Sequence, residues 1–385
     1  DPANKALTRT LVANIEKVEI VNDYAVKITT KKPTPTLIEY LNDLFMAPPK
    51  LAKEKGIAYL SEHPVGTGAY KFESWTKDRE IRFIKNENYW KGVPQIDQVT
   101  FRVIPEVGPR VSALIVGEVD LIPDVPPHLI KQINNSGVAS VKDVAGRLIV
   151  AIGLDTINEG PMKDVRVRQA MNYAVNVDEI IQTIMEGHVT RMPGPLLPIN
   201  KHFDPSLKPF PYDPEKAKKL LKEAGYEKTL NLTFHACRGR YLKDWEVAQA
   251  VALQLSRIGV DVEVVFHEWG NFLKRLKSHK MKDMYMLGRT DRALEGEAMR
   301  ILFQTGASWV NFSDAEVDKE ISEAMPILDP SKRAEAFKKL QAMIQKKAPW
   351  IFLWEQHDLY GVSNRLVWEP RADWQLNLFD AKVKD

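Results

Sequence analysis

Alternation of apolar and polar residues dominates the first part of the chain. In "KVEIVNDYAVKITT" two alternating runs flank Asn22-Asp23, the pattern of a β-hairpin. "AYKFESWTKDREIRFIKNENYW" repeats it around a polar turn at Lys77-Asp78-Arg79, and "QVTFRVIP" adds another strand. "GPRVSALIVGEVDLIPDV" reads as a helix ending at Gly117, then a short strand. The middle of the chain shifts to helical spacing. "MKDVRVRQAMNYAVNVDEIIQTIMEG" carries two helices separated near Asn176. "PYDPEKAKKLLKEAGY" is a helix with complete punctuation: Asp213 to cap it, Pro214 at its first position and Gly225 to end it. Ala217, Leu220, Leu221 and Ala224 form its buried stripe.

Residues 230–288 then read strand–helix–strand–helix–strand. The strands are "TLNLTFHA", "VDVEVVF" (Val260, Val262, Val264 and Phe266 on one face) and "DMYMLG". The helices are "DWEVAQAVALQLSRIG", with Val247, Val251, Leu255 and Ile258 in line, and "EWGNFLKRLKSH". Strands joined by helices in this way predict a parallel α/β unit. "SDAEVDKEISEAM" and "DPSKRAEAFKKLQAMIQKKAP" follow as helices with Asp and Ser caps. "WIFLWEQHDLYGVS" reads as one long buried strand with polar residues embedded, and residues 365–385 are irregular. No internal repeat and no low-complexity linker separates these segments.

One stretch resists a simple reading. "HPVGTGAYKF" places Gly66 and Gly68 around Thr67, just before an alternating run. Glycine permits positive φ and close approach to the backbone. A phosphate loop is excluded, because no Lys-Ser/Thr follows, no third glycine is present and no helix pattern comes next. Spacing alone makes the stretch a tight turn feeding a strand.

The 385 residues exceed one ordinary core and fit two lobes. A hydrophobic share of 44% and a charged share of 27% place the chain among globular proteins. With 54 basic against 51 acidic residues, well interspersed, nothing points to nucleic acid. A single cysteine, Cys237, rules out an intrachain disulfide and a metal–thiolate cluster. The eight histidines form no metal-binding spacing, and no metal or cofactor is expected.

"HPVGTGAYKF" followed by "NENYWKGVPQIDQVTFRVIP" resembles the family 5 extracellular solute-binding proteins of ABC transporters, which include dipeptide-, oligopeptide- and nickel-binding proteins. The resemblance continues, in the family's order, through "MKDVRVRQAMNYAVNVDEIIQTIMEGHVTRMPGPLLP", "FDPSLKPFPYDPEKAKKLLKEAGY" and "GRYLKDWEVAQAVALQLSRIGVDVEVVFHEW". It implies an α/β, two-lobed clamp of the periplasmic-binding-protein type (type II) that closes around solute. It further implies lobe I over 1–154, with the remnant of an extra subdomain at 1–45, lobe II over 155–353, and a return to lobe I over 354–385. Family members carry a sizeable segment before the point where this chain starts, so the N-terminal part of lobe I is expected to be lacking. The implied partners are a small-molecule or peptide ligand and a membrane permease, the implied location periplasmic or extracellular with a lipid anchor on the full-length form, and the implied state a monomer. In this fold the glycine turn becomes a cleft-side turn, with Thr67 a candidate ligand contact.

Several residues are candidates for ligand contact. Asp291 follows the strand "DMYMLG", at the carboxyl end where open α/β sheets bind ligands. By resemblance to the peptide binders, it pairs with a ligand ammonium group. The alternative is a helix cap or a pair with Arg289 or Arg292. The relatives often have Asp-x-x-Asp-Pro-Asp here, where this chain has Asp-Arg-Ala-Leu-Glu-Gly-Glu. Arg238, Arg240 and Tyr241 follow "TLNLTFHA", and either arginine, like Arg289, can grip a carboxylate or make a surface salt bridge. Trp269 falls in register with Phe272, Leu273 and Leu276, so it is core, with one edge free for the cleft. Trp354, Glu355 and His357 put polar groups into an apolar strand, which demands partners at a hinge or in a ligand.

An enzyme is the rival class. The chain has no G-x-S-x-G, and Cys237 with His235 on one strand face is the sole nucleophile–base pairing worth naming. The expected function is capture of a short peptide for an importer, without bond making or breaking. An oligosaccharide, and then a nickel chelate or opine-like compound, are the alternatives within the family.

Overall fold

The computed structural model describes residues 12–42, 44–290, 295–307 and 309–384. In chain order its strands are β1 (Ile15–Asn22), β2 (Ala25–Thr30), β3 (Tyr70–Thr76), β4 (Glu80–Lys85), β5 (Gln98–Arg102), β6 (Leu121–Ile122) and β7 (Ala139–Leu154). They continue as β8 (Val189–Arg191), β9 (Leu230–Cys237), β10 (Val260–His267), β11 (Met284–Thr290), β12 (Trp350–Ser363), β13 (Leu366–Val367) and β14 (Lys382–Val383). The chain divides into two compact units, one of residues 1–44 and 147–356, the other of 45–146 and 357–385. It passes from one unit to the other within β7, after Gly146, and within β12, after Gln356.

In the first unit the sheet runs β10-β9-β11-β7-β12, with β8 paired to β12. Strands β9, β10 and β11 are parallel, as the strand–helix alternation predicts, and β7 is antiparallel to β11. The helices Asp244–Ser256 and Trp269–Lys277 make the crossovers. Both faces of this sheet are covered, so β7 and β11 bury apolar residues on both faces, whereas the edge strand β10 alternates Val260, Val262 and Val264 with Asp261 and Glu263. Along β7, Val150, Ile152 and Leu154 join one hydrophobic cluster while Ile149 and Ala151 join the other. Met284 and Met286 against Tyr285 and Leu287 divide β11 in the same way.

The helix punctuation acts locally. The Asp213 carboxylate accepts from Lys216 N at 2.9 Å, with Pro214 in the first turn and Gly225 at φ +90° beyond the end. Asn176 caps the second helix of its pair. For the two C-terminal helices the caps are Asp314 and Asp329, not a serine; each carboxylate accepts a backbone N–H of its own first turn.

The second unit holds the antiparallel sheet β3-β4-β5, the pair β13–β14, and β6 against the end of β12. Its core gathers Val111, Leu114, Ile122, Ile133 and Leu359, with Tyr360 and Trp368 in a neighbouring cluster. Gly66 and Gly68 are not in the left-handed region. Their segment is an exposed bend into β3, with Thr67 exposed, and no positive φ accounts for the glycines.

The opening segment groups with residues 147–356. The contact is visible in Glu39, whose Oε2 accepts from Glu295 N at 3.1 Å. Strand β7 was not anticipated, because Lys142, Asp143, Gly146 and Arg147 interrupt its apolar run.

Tyr285 lies directly opposite Gly153 in the β7–β11 ladder. A Cβ at Gly153 would lie 2.2 Å from Tyr285 Cζ. Gly153→Ala is therefore expected to destabilise the first unit by about 2 kcal/mol. Urea unfolding checks this, and an unchanged midpoint would contradict the tight packing of this pair.

Candidate functional site

Strands β9, β10 and β11 run in one direction, so their carboxyl ends lie along one edge of the sheet. The register places Cys237 opposite His267, and Tyr285 beside His235. Ligands of open α/β sheets bind at such an edge. The segments leaving it carry Arg238, Arg240 and Tyr241 from β9, Glu268 and Trp269 from β10, and Arg289 on β11.

The loop after β9 is organised by one carboxylate. Asp244 is 3% exposed. Its Oδ1 accepts from Gly239 N and Trp245 N, each at 2.9 Å, and its Oδ2 from Arg240 N at 2.8 Å and Tyr241 N at 3.0 Å. Gly239 at φ +79° and Lys243 at φ 57° supply the left-handed turns that bring these N–H groups inward. Tyr241 is buried, and its hydroxyl donates to Gly288 O at 3.3 Å. Burial pushes this phenol up to about 12. Gly288 has to be glycine, because a Cβ there would meet the Tyr241 ring at 2.4 Å.

Aromatic rings then fix the guanidinium groups. Arg238 lies 4.4 Å over Trp245, which is itself stacked on Phe266 with centroids 4.3 Å apart. Arg240 lies 4.6 Å over Trp269 and 5.5 Å over Tyr241. Trp269 stacks in turn on Phe272. Arg289 lies 4.8 Å over Trp309. Each pair places a cation on an electron-rich face, worth about 0.5–1 kcal/mol where solvent reaches it. Glu268 caps the helix Trp269–Lys277, and the N–H groups of Gly270 and Asn271 hold its carboxyl below the usual range.

Beneath this layer, His235 Nδ1 lies 2.9 Å from His267 Nε2, so one ring donates to the other. Burial, then His267 and Arg275, push His235 down to about 4. Burial pushes the Cys237 thiol up to about 12. The thiol is thus protonated and His235 turns to His267, so the Cys237–His235 pair is not an activated nucleophile with its base.

The edge gathers Arg238, Arg240, Tyr241 and Trp269, with Arg289 on the adjoining strand. Asp291 lies outside the described residues. Trp354 is 1% exposed in the core of the first unit, opposite Arg191, and presents no ring face to a ligand. The hydrophobic run around it determines this placement. His357 belongs to the second unit, where its Nδ1 lies 2.6 Å from Asp143 Oδ1. Thr67 is in that unit too. Sequence reasoning overlooked Asp244, Trp245 and Trp309. An Asp at a helix start just after a Gly-containing loop was the readable signal for the first; the tryptophans gave none, since their partners are set by the tertiary fold.

With that geometry in hand, the chain can be compared with known proteins. The family described as "Bacterial extracellular solute-binding proteins, family 5 Middle" matches residues 1–311. The glutathione-binding protein GsiB of Pectobacterium atrosepticum is 30% identical over 384 residues, 95% of this chain and 73% of that protein. Heme-binding protein A of Haemophilus influenzae is 28% identical over 88% of this chain and 64% of that protein. Among solved structures, the periplasmic binding protein DppA of Helicobacter pylori in complex with the peptide STSA superposes with a TM-score of 0.83 at 26% identity, covering 98% of this chain and 76% of that one. The putative peptide-binding protein AppA of Clostridium difficile gives 0.88 at 26% identity, covering 95% and 78%.

Two outcomes test this geometry. Asp244→Ala strands four backbone donors and is expected to cost about 3 kcal/mol in urea unfolding; a loss below about 0.5 kcal/mol would deny the carboxylate its organising role. The second concerns pH. The folded value of His235 lies below its ordinary 6.5, so its stabilising contribution is complete above about 6.5 and is lost as pH falls toward about 4. His235→Gln is expected to flatten the stability–pH slope across that window, and an unaltered slope would place the titrating group elsewhere.

Proposed function

The chain belongs to the bacterial extracellular solute-binding proteins of family 5, and from that premise we propose that it captures a short peptide and delivers it to the membrane permease of an ABC importer. The observation that carries this reading is the row of guanidinium groups held over indole rings at the carboxyl ends of β9 and β11. A carboxylate is the natural complement of a pre-oriented guanidinium, through two parallel N–H···O bonds. Arg240, between Trp269 and Tyr241, is the proposed anchor of the peptide's carboxyl end, with Arg289 and Arg238 beside it. Asp291, next in the chain after β11, is the proposed partner of its ammonium group. The solved relatives support a peptide, since the H. pylori structure holds one. No helix among the described residues is long and apolar enough to cross a membrane. The protein is proposed to work in the periplasm or outside the cell, on a lipid anchor, as a monomer. Binding and release suffice for this role, and no covalent step is part of it.

Isothermal titration calorimetry with di-, tri- and tetrapeptides tests the reading. Asp291→Ala is expected to cost a free-amine peptide at least ~1.5 kcal/mol and to leave an N-acetylated peptide unaffected. Amidation of the carboxyl end should weaken binding by about tenfold, and Arg240→Gln should abolish that difference. Heat from an oligosaccharide with none from any peptide would overturn the proposal.

A further inference from the structure

Two guanidinium groups on a single short loop exceed the needs of one carboxyl end. Arg238 and Arg240 flank Gly239, whose φ of +79° turns the chain between them. They consequently reach different supports, Trp245 on the helix Asp244–Ser256 and Trp269 on the helix Trp269–Lys277. Each indole covers one face of its guanidinium and leaves the in-plane N–H edge as the direction for hydrogen bonding. Neither arginine has an ion pair among the described residues. The carboxylates at the starts of these two helices are committed elsewhere. Both oxygens of Asp244 accept backbone N–H groups, and Glu268 caps its helix. Lys243, in the same loop, adds a further cation and pairs with Glu246 at 3.1 Å. The loop therefore presents two separately supported, pre-oriented guanidinium groups, neither of them in a side-chain ion pair among the described residues.

We propose that the peptide taken by this site carries two carboxylates, an acidic side chain in addition to its carboxyl end, one for each guanidinium of the Arg238-Gly239-Arg240 loop. This rests on the peptide reading above and names the class of peptide. A neutral side chain leaves the second guanidinium facing water or, once the ligand is seated, without a partner, whereas a carboxylate forms a charge-assisted bidentate pair without further ordering of the arginine.

The test is calorimetry with alanine tripeptides, free at both ends, that carry Glu or Gln at each position in turn. At one position Glu is expected to bind at least about tenfold tighter than Gln. Arg238→Gln should erase that preference, whereas Arg240→Gln, which removes the anchor of the carboxyl end, should weaken the Glu and Gln peptides alike. Equal binding of Glu and Gln peptides at every position, or a preference that survives Arg238→Gln, overturns the dicarboxylate proposal and leaves peptide capture standing. Absence of binding by every tripeptide, with intact folding by circular dichroism, defeats the peptide reading itself.

Discussion

The strand-end cluster depends on the buried carboxylate of Asp244. A loop leaving a parallel strand must redirect its backbone within a few residues and find partners for N–H groups that belong to no ladder. Here one side chain gathers four of them, from Gly239, Arg240, Tyr241 and Trp245. The loop is thereby shaped from its inner side, and the side chains of Arg238 and Arg240 are left on the outer one. The same carboxylate starts the helix that carries Trp245, so the support under Arg238 and the loop bearing Arg238 share one anchor.

The second constraint is steric. Tyr241 can lie flat over β11 because Gly288 has no side chain there, and its hydroxyl then reaches the Gly288 carbonyl. This sets the ring against which Arg240 rests, edge-on to Trp269. Asp244, Gly288 and the two tryptophans thus determine the guanidinium positions, although none of them is charged toward a ligand. Below them, the His235–His267 pair fills the sheet edge with neutral rings, keeping positive charge confined to the outer layer.

Elements with local causes were legible in the sequence. The helix Pro214–Glu223 follows from Asp213, Pro214 and Gly225, and the parallel order of β9, β10 and β11 follows from their alternation with helices. What was not legible has non-local causes. Strand β7 continues through Lys142, Asp143, Gly146 and Arg147, because pairing with its neighbours outweighs a broken apolar pattern. Trp354 looked like a binding residue because it stands beside Glu355 and His357; its burial follows from the other strands packed around it. The pairing of Arg289 with Trp309 is likewise a product of the fold, since nothing in the intervening sequence links them.

The arginines of this chain show why residue type alone does not mark a binding site. Arg168 and Arg333 are almost wholly buried, and backbone carbonyls take up their bonded N–H groups, except that Arg333 Nε donates to His202 Nε2 at 3.1 Å. Arg168 bonds the oxygens of Met162, Lys163 and Lys347, and Arg333 those of Ala324, Met325, Ile327 and Glu295. These two close helix ends that would otherwise leave carbonyls unsatisfied. Burial pushes Arg168 down to about 10, well above neutrality, so it stays charged while serving a structural role. Arg238 and Arg240 show the opposite arrangement: indole covers their faces, and among the described residues no carbonyl takes up their edges, though Arg240 also reaches the Tyr241 hydroxyl. A guanidinium whose edges are saturated holds the fold together. One whose face is supported and whose edge is open is prepared for a partner from outside, and in this chain that arrangement falls at the strand ends where the α/β sheet binds ligands.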